Sequence, residues 1–196
     1  MPMLTTLSTL KQRLGLEQFD PTDDALLTNI LKHVSGRFAL ECNRIFDYGS
    51  GLTFEFPAED NTICVDHPPV EAVTAFHLKS SEAEGWVLQS SVSFLIAPKR
   101  TVIELADSLG SVGEIARVTY TGGFILPGTQ PAGSQVALPD EIEQACVEQV
   151  AYWYQRRSQL GLASVSNESG ILQQFQSTDL LPQVRAVLKR YVRWAN

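Results

Sequence analysis

The hydrophobic residues of this chain change their spacing twice, and these changes limit the folds open to it. Before about residue 45 the spacing is helical, as in Leu26, Ile30 and Val34. From about residue 48 to residue 120 the period is nearer two, which is typical of strands. It is helical again after residue 138. The pattern predicts an α+β fold with a mainly helical layer of about four helices and an inserted antiparallel β subdomain.

Four segments are predicted to be helices. The first covers about residues 6–14, and the second covers about 21–45, behind Asp20 as a capping residue. The third runs over 139–157, with proline at its start and acidic residues in its first turn. The fourth follows Pro182. These helices lie at both ends of the chain and leave its middle for strands.

The middle of the chain is predicted to hold five to seven short antiparallel strands. The strand candidates are 52–56, 62–65, 73–78, 86–88, 94–96, 101–105 and 114–120. We therefore divide the chain into N-terminal helices (1–47), a β-rich insert (48–124) and C-terminal helices (125–196). The last part contains a long loop at 158–179, in which a hairpin is possible, and we expect all three parts to form one structural unit.

Length and composition limit the class of protein. The chain has 196 residues, of which 44% are hydrophobic and 19% are charged, as expected of an ordered soluble protein. No signal-peptide pattern and no apolar stretch of membrane-spanning length is visible. Cys42, Cys64 and Cys146 are scattered, which favours reduced thiols in the cytosol. The net charge of -7 argues against phosphate binding over the whole surface.

The charge is uneven at the C-terminal end. No acidic residue follows Asp179, whereas Arg185, Lys189, Arg190 and Arg193 all lie beyond it. This basic end could dock on an acidic partner. Equally, the cations could simply complement the negative end of a helix. Both interpretations stay open from the residues alone.

The segment 118–133 has the order strand, glycines, helix, which also describes a phosphate-binding loop. It lacks both G-x-G-x-x-G and the Gly-Lys-Ser/Thr ending of such loops. The next helix begins well beyond Gly122 and Gly123, and its first turn is acidic, so its amides cannot share an anion with the glycines. We therefore predict that Gly122 and Gly123 form a structural hinge between sheet and helix.

No residue pattern indicates catalysis or metal binding. His33, His67 and His77 show no paired ligand spacing with each other or with the cysteines. Residues 49–51 fall short of G-x-S-x-G. The acidic pairs at helix starts are explained by the helix dipole. The prediction is therefore a protein that is not an enzyme, with no catalytic residue, no metal and no cofactor.

Five segments, in this order, resemble one known family. They are "DPTDDALLTNILKHVSGRFALECN" (20–43), "DHPPVEAVTAFHL" (66–78), "ARVTYTGGF" (116–124), "LPDEIEQACVEQVAYWYQRR" (138–157) and "LLPQVRAVLKRYVRW" (180–194). The chain is similar to the head–tail connector proteins of tailed bacteriophages, also called head-completion adaptors. The resemblance is weakest over 79–113 and 161–178.

The resemblance implies a structural protein of the virion neck that is made in the host cytoplasm. Such proteins form rings, commonly dodecamers, below the portal protein. The ring extends the channel through which DNA passes without sequence-specific contacts, and it supports a neck, stopper or tail protein. No membrane is involved. The C-terminal part reaches the portal in relatives, which maps here onto Arg185, Lys189, Arg190, Tyr191, Arg193 and Trp194.

Two alternatives stay open. The first is a neighbouring role in the same particle, as a tail-completion or stopper protein. The second is a small-molecule-binding or hydrolytic domain that uses the β insert. A deep pocket with converging His67, His77 or paired acids would favour this second alternative.

Overall fold

The computed structural model describes residues 2–157, 164–166, 172–174 and 179–193, which form two compact units. The helical unit combines Met3–Phe38 with Pro139–Tyr191. The β unit consists of Ala39–Leu138 together with Val192 and Arg193 from the C-terminal end. The chain therefore leaves the helical unit once, builds the β unit, returns, and finally contributes its last described residues to the β unit.

The helical unit is built from helices with one buried face each. Its helices are α1 (Leu7–Leu14), most of α2 (Asp24–Glu41), α3 (Asp140–Gln155) and α4 (Pro182–Leu188). Strands β10 (Ser164–Ser166) and β11 (Leu172–Gln174) pair antiparallel, so the predicted long loop does contain a hairpin. Side chains from all four helices are fully buried: Leu10, Leu27, Leu31, Val34, Phe38, Ile142, Cys146, Val150, Val184 and Leu188.

The ends of the helices follow local capping chemistry. The Thr6 side chain accepts a hydrogen bond from the Thr9 amide at 3.1 Å, which starts α1. The carboxylate of Asp20 accepts from the Thr22 amide at 2.9 Å and so forms a turn before α2. As a result α2 begins at Asp24, and it ends before Asn43, whose φ of 47° is left-handed. The predicted range 21–45 was too long at both ends.

The β unit contains two antiparallel sheets and one parallel pair. The four-stranded sheet has the order β1 (Gly49–Pro57), β7 (Ile115–Gly122), β3 (Val70–Lys79) and β4 (Val87–Gln89). The three-stranded sheet has the order β2 (Thr62–Ile63), β6 (Ile103–Leu105) and β5 (Phe94–Ile96). Strands β8 (Phe124–Ile125) and β9 (Val136–Ala137) pair parallel.

Alternating side chains from both sheets form the core of the β unit. In β7, Ala116, Val118 and Tyr120 are fully buried, whereas the residues between them are partly exposed. Ile63 and Ile103 join the same cluster from the three-stranded sheet. The strand spacing of two therefore reports one buried face per sheet, as the sequence predicted.

The mixed α+β class is confirmed, but the expected mainly helical layer is wrong. Among the described residues the four helices hold 49 residues and the eleven strands hold 48, so helix and strand are nearly balanced. All seven strand candidates are present as β1 to β7, whereas the short pair β8–β9 was missed because its partners lie on either side of a Pro- and Gly-rich stretch. Among the described residues no helix is long and apolar enough to cross a membrane.

Candidate docking surface

Helix α4 is held by a buried amide on α3. Gln149 is fully buried, and its Oε1 accepts a hydrogen bond from the Leu181 amide at 2.9 Å. Its Nε2 donates to the carbonyl of Asp179 at 3.4 Å. Both contacts hold the turn that leads into α4, where no side chain of α4 itself acts as a cap. Val184 and Leu188 are fully buried, which fixes the opposite face of α4 toward solvent.

That solvent face of α4 is basic. Arg185 and Lys189 are four residues apart, so they lie on one side of the helix and its end, and both are exposed. The guanidinium of Arg185 lies 4.0 Å from the carboxylate of Asp179, at the limit of an ion pair. Two predicted interface residues are thus displayed together. We call Arg185 and Lys189 the α4 basic face.

Two further predicted interface residues contact α3. The guanidinium of Arg190 lies 2.8 Å from one carboxylate oxygen of Glu141, and the Tyr191 hydroxyl donates to the other oxygen. Glu141 belongs to the acidic first turn of α3. Because Arg190 remains 68% exposed, its ion pair contributes little to stability and leaves much of the side chain accessible.

Arg193 is engaged inside the β unit. Its amide donates to the Cys42 carbonyl, its Nε to the Asn43 carbonyl and its Nη1 to the Cys64 carbonyl, each at 2.8 Å. The guanidinium also lies 5.6 Å from the centroid of the Phe54 ring.

The carbonyls of Cys42 and Asn43 lie at the C-terminal end of α2, where a cation is favourable. Helix α2 has no basic residue in its last turn, and Cys42 and Asn43 follow its end directly. Arg193 therefore supplies the positive charge and the donors that the end of a helix lacks. The sequence could not show this because 150 residues separate Asn43 from Arg193. Trp194, the last predicted interface residue, lies outside the described residues.

Gly122 and Gly123 lie where β7 ends and the backbone passes two other segments. A Cβ on Gly123 would lie 2.1 Å from the Asp47 carbonyl oxygen, and the φ of this residue is +100°. A Cβ on Gly122 would lie 2.6 Å from the His67 carbonyl oxygen. Both positions therefore demand glycine for close backbone approach. A hinge function of the pair stays a prediction.

A polar cluster of Asp66, His67 and Tyr120 lies next to Gly122. The buried Tyr120 donates to Asp66 at 2.5 Å, and His67 Nδ1 lies 3.0 Å from the same oxygen. Burial raises the pKa of Asp66, but hydrogen bonds from His67 and Tyr120 outweigh it and leave the pKa below its usual value. Burial, followed by the bond to Asp66, raises the pKa of Tyr120. A satisfied cluster of this kind stabilises the fold.

The described residues were searched for grooves and for clusters of metal-binding side chains. Three open grooves have volumes of about 610, 390 and 100 Å³, and none of these three is lined by His67 or His77. Within the described ranges, no group of three His, Cys, Asp or Glu could hold a metal ion.

Comparison with known proteins agrees with this description. A model of the head completion protein family matches residues 3–194. The chain therefore belongs to the head completion protein family, and its role is structural, as a head–tail connector protein of a phage or phage-like virion. No curated protein matches significantly.

Solved structures share the fold. A chain from the neck of an empty GTA particle, computed with C6 symmetry, matches with a TM-score of 0.58 and 16% identity, covering 96% of this chain and 89% of that chain. A chain from the virion of a native gene transfer agent particle matches at 0.57 and 17%, with the same coverages of 96% and 89%. A chain from the neck of the native GTA particle, computed with C12 symmetry, matches at 0.54 and 15%, covering 100% and 96%.

Proposed function

We propose that the protein forms a closed ring, a dodecamer, between the portal protein and the neck, stopper or tail protein of its particle. The observation that carries this proposal is the family match over residues 3–194. Related folds stand in necks computed with sixfold and twelvefold symmetry, which supports a ring. In a ring of this kind, one face of each subunit binds a different face of the next subunit.

The α4 basic face is the part of the chain proposed to contact the portal. Arg185 and Lys189 are exposed and face the same way, and Arg190 keeps most of its surface accessible. Such a surface suits an acidic portal surface. Arg193 is assigned differently from the other cations, because its donors serve carbonyls of its own β unit. We expect Arg193 to influence docking only by stabilising the β unit.

The remaining parts of the proposal concern DNA and chemistry. With a net charge of -7 the subunit neutralises few phosphates, so DNA can slide through the lumen of the ring without tight binding. The protein acts without a cofactor and without catalysis. It is assembled in the host cytoplasm and retained in the neck of the virion.

The docking surface can be tested with charge reversals. Arg185→Glu combined with Lys189→Glu is expected to weaken binding to the portal protein of the same particle at least tenfold, measured by surface plasmon resonance at two salt concentrations. Lys99→Glu and Arg13→Glu together, which are exposed cations elsewhere, give the same change in charge and should leave binding unchanged. Equal binding of both double variants would overturn the assignment of α4.

A further inference from the structure

Residues 85–98 form a stretch without a charged side chain in a protein where 19% of residues are charged. This stretch contains β4 and β5, and each of them stands at the edge of its sheet. Several of its apolar side chains are exposed: Val87 by 43%, Leu88 by 62%, Phe94 by 36% and Leu95 by 71%.

Exposed edge strands are open to pairing with another chain. Proteins normally prevent such pairing with charged residues, prolines or short covering segments at the edge. Here β4 has no charged residue, and Leu88 is exposed on the face of the sheet that carries His77 and Arg117. Strand β4 therefore lacks the usual protection of an edge strand, as expected of an edge that is covered in the assembled protein.

The opposite edge of the same sheet is formed by β1. Strand β1 pairs with β7 on one side, and no other described strand pairs with its second side. Thr53 and Glu55 are exposed along it. The four-stranded sheet therefore ends in two different edges, β1 and β4.

The strand directions make these two edges complementary. Each neighbouring pair in the order β1-β7-β3-β4 is antiparallel, so β1 and β4 run in opposite directions. If a second copy is placed beside the first in the same orientation, its β1 lies antiparallel to the first copy's β4. The alternation of the sheet then continues across the junction. Repetition of such a contact between different faces gives a ring where the rotation between subunits closes.

We propose that the β4 edge, with Leu88 at its centre, binds the β1 edge of a second copy of this chain. This deepens the proposed function and rests on it for the closure of the ring. Leu88 of β4 is paired with His77 of β3. His77 is paired with Arg117 of β7, which is paired with Glu55 of β1. Continued into the next copy, the row brings Leu88 toward Glu55 and the neighbouring Thr53.

Self-association of the full chain tests the surface. Sedimentation velocity over a concentration series is expected to show association of the wild type, and Leu88→Lys should weaken this association at least tenfold. Leu40→Lys, at a leucine that is 74% exposed on α2, is the matched control and should behave as wild type. Circular dichroism is used to check that each variant is folded. A wild type that stays monomeric, or a Leu88→Lys protein that associates as the wild type does, would overturn the inference.

Cysteine cross-linking tests the direction of the contact. Leu88→Cys mixed with Thr53→Cys should form mixed dimers with a short bismaleimide, whereas each variant alone should give little product. Strong cross-linking of Leu88→Cys with itself would show a symmetric β4–β4 contact instead and contradict the proposal. The proposed function has a separate readout, because the location of the chain in purified particles does not depend on which strands touch.

Discussion

Replacing Gly123 with alanine tests the backbone geometry at the end of β7. The φ of +100° costs an L-residue roughly 1–2 kcal/mol. The new Cβ would lie 2.1 Å from the Asp47 carbonyl oxygen and 2.8 Å from Tyr48 Cα, so backbone atoms must move. Overpacking of this kind costs about 1–3 kcal/mol. We therefore expect the free energy of unfolding to fall by about 2–5 kcal/mol, out of a typical 5–15 kcal/mol.

Two control variants separate these contributions in urea titrations followed by circular dichroism. Gly113 has a φ of +92° and open space around its Cβ position, so Gly113→Ala should lose only the backbone contribution of about 1–2 kcal/mol. Gly122 has the close contact without a positive φ, so Gly122→Ala reports the contact alone, about 1–3 kcal/mol. If Gly123→Ala lowers the free energy of unfolding no more than Gly113→Ala does, the close approach to Asp47 does not restrict this position.

Three other predictions concern the buried polar groups. Gln149→Leu leaves the Leu181 amide without its acceptor and should lower the free energy of unfolding by about 1–3 kcal/mol in urea titrations; an unchanged value would remove Gln149 from the support of α4. The lowered pKa of Asp66 contributes stability that is present above its unfolded pKa of about 3.9 and is lost as the pH falls through the folded pKa. Tyr120→Phe should therefore reduce the acid sensitivity of unfolding, and parallel pH profiles for variant and wild type would argue against this. Burial raises the pKa of Cys42 and of Cys146 to about 12, so mass spectrometry after brief treatment with a thiol reagent at pH 8 should find Cys64 labelled first; equal labelling of Cys146 would contradict its burial.

Local patterns predicted the elements of this fold well. The capped α1, the acidic start of α3 and the strands β1 to β7 all follow from spacing and from residues close in sequence. The balance between helix and strand was misjudged, because hydrophobic periodicity identifies elements without showing that two sheets share one core.

The candidate site was only partly predictable for a similar reason. The exposed cations Arg185 and Lys189 follow from the charge pattern alone. The capping of α2 by Arg193 and the contact of Asp66 with Tyr120 join residues 150 and 54 positions apart, and one sequence carries no signal for such pairs. The two strand edges become visible only when the order of the sheet is known.

The proposed function requires that this chain form a ring in the neck of a virion. The most direct measurement is cryo-electron microscopy of particles purified from cells that carry this gene, with the neck reconstructed without imposed symmetry. We expect a closed ring of this chain directly below the portal, with the α4 basic face toward the portal. Particles whose neck lacks this chain, or which hold it only in the tail, would contradict the proposed function.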